Sequence, residues 1–289
     1  MIPYWLIFSL IAFAATLLVN LLIRKIHLNS IPLRVQNCAQ FIIPFLGFLI
    51  WALVQPSLFR INLFHLFLVI IFAVVFTQIG TLLANKSITL AANPGYPTAI
   101  TRINALITTL ASVLLFGSYL SPLTFIAILI ITAASFLFVD LRKKEIRKNN
   151  NLWIWYAVGA GVLTSGYALS SKFFINENIP LVTRMFYAFL AMSIMQTADL
   201  FISKTKIDIK KADFASLFIL GISTFIFNVF AQLAFEFAPN PGFVNAFLAA
   251  AIVPTTFFAA YFFKDELNKK KILGVLGILA GLILLYIYS

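Results

Sequence analysis

Charged residues are scarce in this chain, and so are the residues from which metal and disulfide sites are built. Only 10% of the 289 residues are charged, and the chain has one cysteine and two histidines. Because a soluble domain carries about a quarter charged residues, this composition excludes an ordinary water-soluble protein. Cys38 has no cysteine partner, and His27 and His65 lie apart at the edges of apolar runs. We therefore predict no disulfide, no metal site and no cofactor.

Acidic residues number only nine, and none lies deep in an apolar run. Asp140, Asp199 and Glu236 fall near the ends of such runs, which disfavours a proton relay built on a carboxylate within a membrane. A membrane-embedded lipid or prenyl transferase would need paired aspartates for a metal-bound diphosphate, or a nucleophile with a base. No aspartate-rich, H-E-x-x-H or G-x-S-x-G motif occurs. We predict that the chain is not an enzyme and has no catalytic residues, with such a transferase as the alternative.

Long apolar runs are what the sequence does contain, since 62% of its residues are hydrophobic. A transmembrane helix needs about 20 mostly apolar residues. The pattern predicts an all-α polytopic membrane protein with ten transmembrane helices. Their approximate ranges are about 3–23, 31–54, 63–84, 93–116, 120–140, 152–172, 179–202, 213–235, 240–263 and 269–288.

The two halves of the sequence resemble each other. Asn93-Pro94-Gly95-Tyr96 matches Asn240-Pro241-Gly242-Phe243 at a shift of 147 residues. Further matches in the same order are Thr108-Thr109 with Thr255-Thr256, Phe116 with Phe263, Trp5 with Trp153, and Ile31-Pro32-Leu33 with Ile179-Pro180-Leu181. Such order indicates an internal duplication. We predict a first five-helix repeat over residues 1–141, a basic linker over 142–151 and a second repeat over 152–289, forming one transmembrane domain.

An odd number of helices per repeat makes the second repeat enter the bilayer from the opposite side. Inverted repeats are typical of transporters, in which two similar halves expose a midplane site to each face in turn. Most of the 21 Lys and Arg residues lie at the loops after helices 1, 3, 5, 7 and 9, whereas Arg60, Lys172 and Arg184 lie on the other side. Because short basic loops stay cytoplasmic, we predict an inner-membrane protein with both termini external.

Arg102 is the one basic residue deep in an apolar run, about ten positions into predicted helix 4. An unpaired charge there costs about 2.5–3.5 kcal/mol on insertion scales, so its side chain is expected to face the protein interior. One interpretation is an anchor for a carboxylate or phosphate of a solute. The other is a structural arginine tied to carbonyls or to a carboxylate of a neighbouring helix.

Uncharged polar residues share helix faces in both halves. Thr81 and Asn85 are four residues apart, as are Asn228 and Gln232, so each pair lies on one helix face. The predicted substrate-binding residues are Arg102, Gln78, Thr81, Asn85, Tyr96, Thr98, Asn228, Gln232 and Asn245. Each amide has the alternative role of joining helices by hydrogen bonds. The Asn-Pro-Gly motifs are predicted helix starts, with gating hinges as the alternative.

The chain resembles the EamA-type transporters of the drug/metabolite transporter superfamily over nearly its whole length. The resemblance rests on the tenfold apolar pattern, on Lys172 and Arg184 flanking one loop, and on the stretch from Asn240-Pro241-Gly242 through Pro254 to Phe263-Lys264-Asp265-Glu266-Leu267 and Gly274. The first repeat departs from it, with Gly117-Ser118-Tyr119 where the second has Lys264-Asp265-Glu266. Many members of this family keep both termini in the cytoplasm, in contrast to the orientation that the charges predict.

The resemblance implies a ten-helix bundle around a central cavity lined mainly by helices 3, 4, 8 and 9. It also implies a secondary transporter that exports or exchanges small polar metabolites, for which we predict amino acids or related solutes. Multidrug efflux of organic solutes is the alternative within this class. The expected partners are a small-molecule substrate and the lipid bilayer, with no nucleic acid, because the basic residues sit in loops rather than on a basic face. The expected state is a monomer or a weak homodimer.

Overall fold

A computed structural model describes residues 2–55, 59–91, 95–139, 152–205, 210–263 and 269–289. These ranges form ten helices. The bounds are α1 (Tyr4–Leu28), α2 (Leu33–Val54), α3 (Leu63–Phe72, Ala73–Gln78 and Ile79–Leu90), α4 (Gly95–Thr101 and Ile103–Phe116), α5 (Pro122–Phe136), α6 (Leu152–Asn176), α7 (Leu181–Ile202), α8 (Lys211–Phe237), α9 (Pro241–Ala249 and Ile252–Phe263) and α10 (Lys269–Tyr288).

Eight of these helices are long and apolar enough to cross a membrane, and α5 and α9 are shorter apolar helices. The prediction of an all-α polytopic membrane protein with ten helices is therefore confirmed. The predicted linker 142–151 lies outside the described residues, as do Asn93, Pro94 and Glu266.

The helix pairs that pack together are largely the same when each helix is replaced by its equivalent in the other half of the chain. Helix α1 packs on α8, and α6 packs on α3; other extensive pairs include α2 with α7, α4 with α9 and α5 with α10. Exchanging each helix with its equivalent in the other half converts the first pair into the second and leaves these other three unchanged. This is the contact pattern expected of two repeats related by a two-fold exchange, as in transporters with inverted repeats.

Both α4 and α9 are interrupted, although the sequence predicts continuous helices there. Helix α4 breaks at Arg102, and α9 breaks at residues 250–251. The repeat shift makes these two positions equivalent to within one residue. In α9 the cause is Pro254, which lacks the N–H group that would bond to the carbonyl of Ala250. In α4, which has no proline here, the Arg102 amide donates to the Ala99 carbonyl three residues back, at 3.2 Å.

Helix α3 contains a π-helical turn over Ala73–Gln78. Such turns are rare overall, but many of those that occur lie at functional sites. The extra residue per turn changes the direction in which the side chains point. The bulge is accommodated by Gly166 on α6, where a Cβ would meet the ring of Phe76.

Glycines bring helices of the two repeats together. A Cβ at Gly277 of α10 would lie 2.7 Å from the Ala134 Cβ, and one at Gly281 would lie 3.0 Å from the Ala127 carbonyl oxygen. The G-x-x-x-G spacing therefore serves packing of α10 on α5 within one chain.

The start of α9 at Asn240 agrees with the interpretation of Asn-Pro-Gly as a helix start. The Asn240 side chain caps the helix by accepting from the Gly242 amide at 2.8 Å, and Pro241 occupies the first turn.

Candidate functional site

A cavity of about 300 Å³ lies between the two repeats, and we call it the central cavity. This volume is at the lower limit of small-molecule sites. Helices α1, α2, α3, α4, α6, α7, α8 and α9 all contribute to its wall. Val19 and Ile23 near the end of α1, and Ile88 near the end of α3, extend it toward the side on which these helices end.

The structure brings six of the nine predicted site residues into this wall. They are Arg102, Thr81, Asn85, Thr98, Asn228 and Asn245. Asn85 donates to the Asn37 side chain on α2 at 2.7 Å, and Asn245 donates to the Thr108 hydroxyl on α4 at 3.0 Å. These bonds hold the two amides in place across helix interfaces while the residues remain part of the cavity wall.

Gln78 is buried but does not line the central cavity. The cavity-lining residues of α3 instead include Thr77, Thr81, Ala84 and Asn85. The lining face runs through Thr77, Thr81 and Asn85, each four residues from the next, and Gln78 lies one position beside it at the end of the π-helical turn.

Tyr96 and Gln232 also lie away from the cavity wall. Tyr96 is buried in the first turn of α4, with its ring 6.4 Å from the ring of Trp153 on α6. Gln232 is fully buried behind the wall, where its Nε2 donates to the Tyr167 hydroxyl and to the Ser171 hydroxyl, each at 2.8 Å. It therefore positions a lining residue.

Four further polar residues lie in the wall that were not among the predicted site residues, three of them on helices outside the expected four. Asn20 of α1, Gln40 of α2, Asn104 of α4 and Tyr167 of α6 line the central cavity. A signal was present, because three of them are amides inside apolar runs, and polar residues at membrane depth are functional candidates.

Several polar atoms in this wall have no hydrogen-bond partner among the described residues. They are Arg102 Nε, Asn20 Nδ2, Gln40 Oε1 and Asn104 Oδ1, and each atom is itself buried. Buried polar groups without partners are costly, so such a group in a cavity wall marks where a solute or water binds. The wall combines a cation with amides, each of which can turn to present a donor or an acceptor.

A hydrogen-bonded polar layer forms part of the wall of the central cavity. The Tyr167 hydroxyl donates to Asn228 Oδ1 at 2.9 Å and accepts from Gln232. Phe189, which also lines the cavity, lies 5.5 Å from Phe48, and Phe48 lies 4.8 Å from Phe225, measured between ring centroids. We call Tyr167, Asn228 and Gln232 the tyrosine layer.

Comparison with known proteins gives one family and one fold. The EamA-like transporter family model matches residues 151–287, which is the second repeat. No curated protein matches the chain. A solved crystal structure of a protein with 16% sequence identity superposes with a TM-score of 0.77, covering 96% of this chain and 96% of that chain.

The structural likeness extends the fold over both halves of the chain, and the family match supports a membrane transporter. The second half of the chain, residues 151–287, is similar to the EamA-like transporter family.

Proposed function

We propose that this chain is a secondary transporter of small polar metabolites that carry an anionic group, with amino acids as the leading class. The observation that carries the proposal is Arg102, whose Nε is buried in the wall of the central cavity without a partner. No acidic residue is among the described residues that line this cavity. The charge of Arg102 is therefore free to pair with a carboxylate of a bound solute.

Two of the remaining unpaired atoms fit the other end of an amino acid. Gln40 Oε1 and Asn104 Oδ1 are acceptors without donors among the described residues. An ammonium group carries three donors and no acceptor. A solute with a carboxylate and an ammonium group would satisfy the arginine and the amide oxygens together, whereas a simple carboxylic acid would leave the acceptors unpaired.

The volume of the central cavity favours amino acids over multidrug efflux. At about 300 Å³ it suits a solute of a few to about a dozen non-hydrogen atoms, because drug-sized ligands occupy the upper part of the range of small-molecule sites. Phe41, Phe76, Phe227 and Leu248 supply apolar wall. This wall would accommodate a side chain.

Alternating access follows from the same geometry in our proposal. We infer that the central cavity opens toward the side of Ile23 and Ile88, and that the tyrosine layer closes it from the other side. Exchange of roles between equivalent helices would close the first side and open the second. The interruptions of α4 and α9 lie at equivalent positions next to the cavity, where backbone angles can change with the least loss of helical hydrogen bonds. The α10 glycines pack on α5 of the same chain, so this face is not available as a dimer interface. A monomer is therefore sufficient for this cycle in our proposal.

Ligand stabilisation of the purified protein tests the substrate class. Each amino acid is compared with its carboxamide counterpart, which keeps the side chain and the ammonium group but lacks the carboxylate. We expect selected amino acids to raise the melting temperature and their carboxamides to have no effect, because only the acid pairs with Arg102. Counterflow of the stabilising amino acids, radiolabelled, in proteoliposomes that contain only this protein then measures transport.

Stabilisation by large organic cations, with none by amino acids, contradicts the proposed substrate class. The absence of counterflow for every stabilising solute contradicts transport itself.

The orientation is proposed from the charges, with Ser289 external and the linker cytoplasmic. Cys38 is buried and is the only cysteine, so replacing it by alanine gives a cysteine-free background. In that background we expect Ser289→Cys to react with a membrane-impermeant maleimide in intact cells, and Asn149→Cys to react only after lysis. The opposite pattern supports the arrangement with cytoplasmic termini.

A further inference from the structure

A second, smaller cavity of about 20 Å³ lies next to the tyrosine layer. Tyr167, Asn228, Thr77 and Phe189 line both this cavity and the central cavity. Its distinguishing residue is Arg184 in the first turn of α7. We call it the Arg184 pocket.

Arg184 is buried, with 2% of its surface exposed, although the sequence analysis treated it as a loop-flanking charge. Its Nη1 donates to the Ile179 carbonyl at 3.1 Å. Its Nε and Nη2 are buried without a hydrogen-bond partner among the described residues. Two nitrogens of one guanidinium are thus desolvated and without a hydrogen-bond partner among the described residues, which is a costly arrangement for a fixed positive charge.

The neighbouring groups do not neutralise this charge by contact. Glu236, which is exposed, interacts electrostatically with Arg184, but no ion pair joins them. The hydroxyls of Ser170 and Ser171 both donate to the Tyr167 carbonyl, at 2.8 and 2.9 Å. The charge of Arg184 therefore requires a partner that the described residues do not provide in direct contact.

The pocket has room for one particle of atomic size. A cavity of this volume holds a single water molecule or a monatomic ion, and it is too small for a metabolite. Apart from the polar groups already named, its wall is apolar and includes Val69, Phe72 and Phe174. Such a wall favours a weakly hydrated anion over a strongly hydrated one, because few groups can replace lost hydration.

We propose that the Arg184 pocket binds one chloride ion, held by Nε and Nη2 of Arg184. The site is independent of the transported solute and does not rest on the proposed function. Since Tyr167 and Asn228 line the pocket, chloride bound there stabilises the conformation in which the tyrosine layer is closed. A ligand that binds one conformation shifts the equilibrium toward it by its differential affinity.

The experiment measures the melting temperature of the purified protein in sodium gluconate with increasing sodium chloride at constant ionic strength. We expect a rise that saturates with chloride and is reproduced by bromide. In Arg184→Gln the rise is expected to be lost, while the melting temperature in gluconate is at least that of the parent, because an unpaired buried charge has been removed. Arg34→Gln, at an exposed arginine paired with Asp199, is the matched control and should keep the response.

The second measurement is anomalous diffraction from crystals of the unaltered protein grown in sodium bromide. It needs no substitution, so the result does not depend on whether a variant folds. A bromide at Arg184 Nε and Nη2 supports the proposal. Water in the pocket overturns it, as does a chloride response that survives in Arg184→Gln. A response that is lost in Arg102→Gln but retained in Arg184→Gln places the anion in the central cavity and also overturns it.

Discussion

Replacing Arg102 by glutamine is expected to reduce counterflow of an amino acid by on the order of a hundredfold. The reason is that the carboxylate of the solute loses a charge-assisted partner in a desolvated site, which costs about 2–5 kcal/mol, and each 1.4 kcal/mol is tenfold. Expression and melting temperature without solute should be unchanged or higher, because the variant removes a charge whose insertion costs about 2.5–3.5 kcal/mol. The measurement is the initial counterflow rate per unit of reconstituted protein.

Two variants make this result specific to the cavity. Arg34→Gln makes the same chemical change at an exposed position and should transport at the parent rate. Arg102→Lys keeps the charge but loses the planar donor pair, so an intermediate rate is expected. Normal counterflow by Arg102→Gln, with normal stabilisation by amino acids, would show that Arg102 is a structural residue and that the anionic group is not its ligand.

The presence of ten apolar helices was predictable from the sequence because segments inside a membrane must be apolar and helical. Every span must bury its backbone hydrogen bonds internally and present apolar side chains to lipid, so helix number is encoded locally in the length of apolar runs. The relation between the halves was also visible, through Asn240-Pro241-Gly242 and its copy upstream. The same logic identified Arg102, because a charge deep in an apolar run must face the protein interior.

The composition of the cavity wall was only partly predictable, because it depends on how helices turn relative to one another. On α3 the sequence offered both Thr77 and Gln78 as neighbours of the polar face, and the packing places Thr77 in the cavity wall and Gln78 beside it. Asn20 and Gln40 enter the wall because α1 and α2 of the first repeat pack against α8 of the second. Arg184 lies in the first turn of α7, where a charge normally reaches water, and only packing of α3 and α6 over it makes it buried.

Arg102 and Arg184 line two cavities that share part of one hydrogen-bonded wall. Arg102 lines the central cavity, and Arg184 lines the small pocket, with Tyr167 and Asn228 lining both. Movement of the tyrosine layer would therefore change the surroundings of both cations at once. A carboxylate in one cavity and chloride in the other would then bias the same structural element, which is the physical basis of coupling between two sites.

Gly242→Ala is expected to destabilise the protein more than any other single methyl group added at the described glycines. A Cβ at Gly242 would meet the Thr109 hydroxyl and would lie 2.6 Å from the Thr109 Cα, which belongs to the backbone of α4 and cannot turn aside. The added methyl would separate α9 from α4 at the start of α9, beside the Asn240 cap. Overpacking of this kind costs about 1–3 kcal/mol and occasionally more. The measurement is the melting temperature of the purified variant, together with its yield of folded protein.

Gly159→Ala is the matched control, since it adds the same methyl group to another helical glycine at a helix interface. There the Cβ would lie 3.2 Å from the Leu83 Cδ1, the far end of a flexible side chain, with no other contact within 4 Å. Replacing glycine by alanine within a helix also removes conformational freedom from the unfolded chain, which is worth about 0.4–1 kcal/mol. We therefore expect Gly159→Ala to melt at the parent temperature or slightly above it, and Gly242→Ala well below it. Equal melting temperatures for the two variants would contradict the close approach of α9 to the backbone of α4, and with it the packing that places Asn245 and Thr108 at one interface beside the central cavity.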